Sequence, residues 1–158
     1  MANTQAMTTS FMGELMTATH NFGVAPTRGT SAADAFKAAL YLTSATVNAA
    51  TTAYSASNEV SGTGYTAGGV AVTIANPPTA TNSSATAGVA FFTPSASIVY
   101  TTVTLATAFD AVLLYNSTQA NKAVSVHTFG SQTITAGTFT LTMPADTTST
   151  ALLRLATT

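Results

Sequence analysis

The chain has no cysteine and no tryptophan, and charge is almost as scarce: of 158 residues, four are Lys or Arg and five are Asp or Glu. Without cysteine there is no disulfide framework, no thiolate metal site and no cysteine nucleophile. Charged residues make up 6% of the chain, against about 25% in an average soluble domain. The four cations, Arg28, Lys37, Lys122 and Arg154, are dispersed. They cannot form the basic stripe that phosphate backbones or anionic lipid surfaces require, which excludes direct nucleic-acid and membrane partners. No stretch approaches the ~18 uninterrupted apolar residues of a spanning helix. The opening MANTQAMTTSFMGELMTATHNF lacks a basic segment and carries Glu14 where the apolar part of a secretory signal would lie, so no signal is expected. Disorder needs high charge and low hydropathy, and this chain has the reverse.

Alanine and threonine fill the space: 31 Ala and 34 Thr together account for roughly two residues in five. Thr, with its branched Cβ, suits a pleated, half-buried surface. Phe36, Ala38, Leu40 and Leu42 alternate with Lys37, Ala39 and Tyr41, which predicts a strand within 32–42 despite the helix-favouring Ala and Leu. Further short strands are expected in 70–74, 88–92, 97–105, 108–115, 123–129, 137–143 and 151–156. That gives an all-β fold, an antiparallel β-sandwich or jelly roll of about eight strands. Residues 1–22 carry Phe11, Met12, Leu15 and Met16 at helical spacing and read as a short N-terminal helix or arm ahead of a single domain over 23–158. The stretch 43–69 reads as a long loop ending in SGTGYTAGG, with a helical turn near 48–54.

No chemistry-bearing pattern emerges. SGTGYTAGG has neither the third glycine of a dinucleotide fingerprint nor a Gly-Lys-Ser/Thr, and it precedes a strand, so it reads as tight turns with Tyr65 as a buried anchor. His20 and His127 lie far apart, and Asp34, Glu59, Asp110 and Asp146 occur singly with no metal-ligand spacing, so neither metal nor cofactor is expected. His127 falls on the Ser125 face of a strand, while Asp110 and Asp146 fall at turns or strand ends. There is no GxSxG elbow and no evident carboxylate pair, and no enzymatic activity is expected. A near-neutral Thr/Ala surface repels its own copies weakly, which points to a component of an assembly.

Four segments, SFMGELMTATHNF, ADAFKAALYLTSATVNAATTAYSASNEVSGTGYTAGG, FDAVLLYNSTQANKAVSVHTFG and GTFTLTMPA, together resemble small accessory virion proteins of tailed bacteriophages, with EVSGTGYTAGG and the LLYN…KAV pair the most specific pieces. The sequence departs from that pattern over 77–104, where the polar tract PPTATNSSATAG interrupts the strands. The resemblance implies a capsid cement or decoration protein without catalytic residues. Such a protein is made in the bacterial host cytoplasm and carried on the capsid exterior, with the major capsid protein as partner. Lattice symmetry favours a homotrimer on local threefold axes. Bridging capsid subunits would stabilise the shell by mass action. The candidate contacts are the stripe Phe11, Met12, Leu15 and Met16, and the loop tyrosines Tyr54 and Tyr65. The alternatives are a tail, connector or fibre-base component and, less favoured for want of Trp, a carbohydrate-binding module.

Overall fold

The computed structural model describes residues 2–16, 18–23, 32–81 and 88–156, apart from the side chain of Met16. The elements in chain order are β1 (Ala6–Met7), α1 (Thr9–Met16), β2 (Phe36–Leu42), β3 (Val70–Ala71), β4 (Thr79–Thr81), β5 (Val89–Phe92), β6 (Ile98–Asn116), β7 (Lys122–Leu141) and β8 (Leu153–Ala156). They form two antiparallel sheets, a five-stranded one in the order β1-β7-β6-β2-β3 and a three-stranded one in the order β4-β5-β8. The all-β, sandwich-like architecture expected from strand spacing is the observed one.

The five-stranded sheet is central and covered on both faces. Phe36, Ala38 and Leu40 of β2, with Val112 and Leu114 of β6, face a cluster that takes in Phe11 of α1 and Phe92 and Leu153 of the small sheet. Ala39 and Tyr41 of β2, with Ala111, Leu113 and Tyr115 of β6, face the other way and are covered by Ala45, Val47 and Tyr54 of the long loop. A strand buried on both faces has no polar side to show, which is why FKAALYL lacks a clean alternation and mimics a helix.

Two expected strand breaks are absent. The segments 97–105 and 108–115 are one strand, β6, and 123–129 and 137–143 belong to β7; the two pair from Ile98↔Leu141 to Asn116↔Lys122. The positions that read as turns are irregularities within the ladder: the register shifts at five places along the hairpin. Thr102 and Ala136 adopt positive φ, 53° and 47°. Each shift bends the ribbon without ending it. Straight, β6 would run about 60 Å at ~3.3 Å per residue, longer than a domain of this size accommodates unbent.

The polar tract departs from expectation in the opposite sense: Thr79–Thr81 forms β4, which pairs with β5 at Thr79↔Phe91 and Thr81↔Val89. At the N-terminus, β1 is an edge strand on β7 at Ala6↔Val126 and Met7↔Ser125, and the expected short helix follows as α1. The helix ends where Ala18 turns to φ 55°, with Ala18 N–H donating to Leu15 O and Thr19 N–H to Glu14 O. This left-handed exit returns the chain under the helix. Phe22 then stacks on Phe36 at 4.3 Å and packs on Phe92 at 5.1 Å.

Candidate functional site

Polar and aromatic side chains cluster in three groups. The first is the loop 43–69. Glu59, 8% exposed, accepts hydrogen bonds from Tyr54 Oη at 2.6 Å, Tyr65 Oη at 2.7 Å and the Gly68 N–H at 2.7 Å. Tyr65 Oη in turn accepts from the Leu40 N–H. Tyr41 Oη donates to Ser55 O, Tyr100 Oη to Ala38 O and Tyr115 Oη to Gly68 O. All five tyrosines of the chain are therefore held by the loop or by the strand it crosses, and two pairs stack, Tyr54 on Tyr115 and Tyr65 on Tyr100. Burial pushes every one of these phenols up, Tyr41 to about 12, and the hydrogen bonds donated to Glu59 raise Tyr54 and Tyr65 further.

The glycines of EVSGTGYTAGG serve close approach. A Cβ on Gly69, at φ 71°, would lie 1.7 Å from Ala38 O, and one on Gly64, at φ 78°, 2.3 Å from Thr102 O. No other residue fits these backbones against the strands. The segment is a strap of tight turns with Tyr65 as its anchor, as the residue pattern predicts.

The second group ties the N-terminal segment to the β6–β7 turn. His20, buried, lies 2.7 Å from Glu14 Oε2 through Nε2, and Asn116 Nδ2 lies 3.0 Å from its Nδ1. Lys122 Nζ reaches Glu14 Oε1 at 2.5 Å. Asp34 accepts from Asn116 Nδ2, Gln119 Nε2 and the Asn21 N–H. Burial pushes the Glu14 carboxyl up, but the hydrogen bonds from Lys122 and His20 outweigh it and hold the group below its ordinary value. Every member has a partner, which is what a buried polar network needs in order to fix a segment.

The third is Ser125 and His127, on one face of β7, with Ser125 Oγ 2.9 Å from His127 Nε2. Burial pushes the His127 imidazole down to about 4. The ring borders a cavity of about 130 Å³ lined mainly by Ile98, Val112, Leu114, Phe129, Leu141 and Leu152. Ser125 itself is 1% exposed, so its hydroxyl is out of reach of a substrate, and the pair carries no nucleophile–base chemistry. Among the described residues no three of His, Asp or Glu lie close enough to hold a metal ion. Asp110 sits within β6 and not at a strand end; it accepts from Asn3 Nδ2 at 2.6 Å.

The six residues expected as contacts fare differently. Phe11 is buried, Leu15 is half-buried against the same core, and both line an apolar groove of about 80 Å³ beside Phe91, Phe92 and Leu155 of the small sheet. Met12 faces outward at 45% exposure, and the Met16 side chain lies outside the described residues. Tyr54 and Tyr65 are brought together on Glu59, with their hydroxyls engaged inside their own domain. Phe11, Tyr54 and Tyr65 thus pack within the fold, and of the two expected forms, short helix or arm, the segment takes the helix, packed on its own domain.

What the sequence reading missed is the far half of the β6–β7 hairpin. Beyond β2, which pairs with β6 only over Phe36↔Asn116 to Leu42↔Phe109, the hairpin continues with the strap alongside β6, bridged at Thr63↔Thr104. Its outward side chains include Val99, Thr101 and Thr107 on β6 and Thr133, Thr135, Thr138 and Thr140 on β7, all exposed. No charged residue occurs between Lys122 and Asp146. The signal was present in the alternation of TFTLT and in that gap of charge, but two expected breaks divided it. The sequence matches no family model, and no curated protein or solved structure is detectably similar to it.

Proposed function

We propose that this chain is a structural subunit of a tailed-bacteriophage particle, a cement protein that binds the capsid exterior and bridges neighbouring capsid subunits. The observation that carries the reading is the outward face of the bent β6–β7 hairpin, rich in exposed threonine hydroxyls and free of charge, on strands whose inward side chains Ile98, Tyr100, Val103 and Leu105 belong to the core. Such a surface supports many weak, identical hydrogen-bonding and packing contacts, which suit a subunit repeated over a lattice. The resemblance of EVSGTGYTAGG and its flanking segments to accessory virion proteins supports the same assignment. Of the acidic residues, Glu14, Asp34, Glu59 and Asp110 are hydrogen-bonded within the chain, so few charges are left to steer an encounter, and binding to shells should depend weakly on salt.

The test is the copy number per purified particle, measured by quantitative mass spectrometry against the major capsid protein. A ratio of order one is expected, since cement follows the icosahedral lattice. A dozen or fewer copies would move the chain to the tail or connector, and absence from particles would refute the virion reading altogether.

A further inference from the structure

The outer edge of β7 is open where the edge of a sheet is ordinarily protected. On its inner side β7 pairs with β6 throughout, but on its outer side β1 pairs only with Ser125 and Val126. Among the described residues, no backbone hydrogen bond reaches the outer edge over 128–141 from any other segment. Free edges are usually blunted by lysine, proline or an inward-pointing charge, yet the chain has no charge between Lys122 and Asp146 and no proline between Pro94 and Pro144. The bulge at Ala136, φ 47°, interrupts the first part of this edge, and the run after it is regular: Tyr100↔Phe139, Val99↔Thr140 and Ile98↔Leu141 follow without a shift.

With one residue on each side, the run 139–141 at the end of β7 reads Thr138-Phe139-Thr140-Leu141-Thr142, and its apolar/polar pattern is the same in both directions. Antiparallel pairing with itself about Thr140 therefore sets Phe139 opposite Leu141 and Thr138 opposite Thr142, with both apolar pairs on the inner face and all hydroxyls on the outer one. Phe139 and Leu141 are only half-buried in the single chain and pack against the main core. Leu141 also lines the 130 Å³ cavity with Phe129, Met143 and Leu152, so a strand laid along this edge adds apolar surface where the core is incomplete. The absence of charge removes the like-charge repulsion that a two-fold axis would otherwise impose on identical residues.

We propose that residues 138–142 form a dimer seam, pairing antiparallel with the same segment of a second copy about a two-fold axis at Thr140, so that the two five-stranded sheets become one. This makes the assembly unit a pair, where lattice symmetry alone suggested three. The seam belongs to the chain itself and stands apart from the virion reading. A dimer in solution that is missing from particles would overturn only the latter, and an abundant virion subunit that is monomeric would overturn only the former.

The cysteine-free chain allows a clean test. Thr140→Cys places two thiols face to face across the axis, within reach of a disulfide, and mild oxidation should yield a covalent dimer on a non-reducing gel. Thr138→Cys alone should yield none, whereas mixing Thr138→Cys with Thr142→Cys chains should restore the cross-link. Sedimentation of the unmodified chain should show a dimer, and Thr140→Lys, whose side chain is exposed in the single chain, should weaken dimerisation about a hundredfold by opposing two ammonium groups. A chain that stays monomeric up to its solubility limit, a trimer, or a Thr138→Cys chain that cross-links to itself as readily as Thr140→Cys would each overturn the seam.

Discussion

Raising the pH challenges the tyrosine network as a unit. In an unfolded chain each phenol ionises near pH 10, whereas in the folded protein burial raises all five, with added contributions from Glu59 through hydrogen bonds to Tyr54 and Tyr65 and through its charge at Tyr41, Tyr100 and Tyr115. The native state therefore holds protons that the unfolded state gives up, and stability falls as pH rises above 10. At pH 11 an unfolded tyrosine is stabilised by ~1.4 kcal/mol through ionisation, so five contribute about 7 kcal/mol. That is comparable with the whole stability of a domain, about 5–15 kcal/mol.

The expected result is a native protein with no phenolate absorbance through pH 10, followed by one cooperative step near pH 11 in which all five tyrosines ionise and the β-sheet circular dichroism is lost together. Tryptophan is absent, so the ultraviolet difference spectrum reports tyrosine without interference. Tyr54 is the most informative of the five because it is only half-buried. If one or more tyrosines titrate reversibly near pH 10 while the sheet signal stays intact, the clamp on Glu59 is not formed as described.

Gly69→Ala forces a Cβ to 1.7 Å from Ala38 O at φ 71° and should lower stability by roughly 3 kcal/mol or more; a loss under about 1 kcal/mol by urea titration would contradict the strap's close approach. For His127, whose folded value is lowered to about 4, the unfolded chain binds the extra proton, so stability should decline as pH falls from about 6.5 to about 4, by up to ~3 kcal/mol. His127→Gln should flatten that part of the profile, and an unchanged slope would refute the burial argument. Phe11→Ala should cost about 3–5 kcal/mol, since it empties the pocket shared with His20 and Phe22, whereas Met12→Ala should stay within about 0.5 kcal/mol. Equal losses in the two variants by thermal melting would show that α1 does not pack as described.

Much of the fold was readable from side-chain periodicity, and the failures have local causes. Phe36–Leu42 was legible as a strand even though both faces are buried, because Ala and Leu alone do not override a sequence bounded by turn residues. The gap 130–136 between two expected strands is no break, because a long partner strand on one side turns a local irregularity into a bulge. Thr79–Thr81 was hidden by its neighbours Pro77 and Pro78, since proline marks a strand start as readily as a loop. The strap was readable as tight turns around Tyr65. Its partner Glu59 was not, because a lone carboxylate among hydroxyls gives no spacing to recognise. Nor could any local pattern reveal that His20 meets Asn116, 96 positions away. The open edge of β7 went unseen for the same reason: an unpaired strand is a property of the sheet order, which periodicity does not encode.

The chain places its few acids in an unusual way. Glu14 and Asp34 hold the N-terminal segment against the β6–β7 turn, Glu59 holds the strap, and Asp110 holds Asn3; Asp146 lies exposed on the surface. Charge that normally keeps copies apart is thus committed to tying loops and termini to a sheet. Solubility then depends on hydrated threonine hydroxyls, which are neutral and give up water at little cost when a partner supplies equivalent hydrogen bonds. A protein built this way is held apart from its neighbours by hydration alone and can exchange that hydration for contacts along an edge or a face. The same scarcity of charge that leaves the chain without a basic stripe removes like-charge repulsion from a contact with another uncharged β-surface.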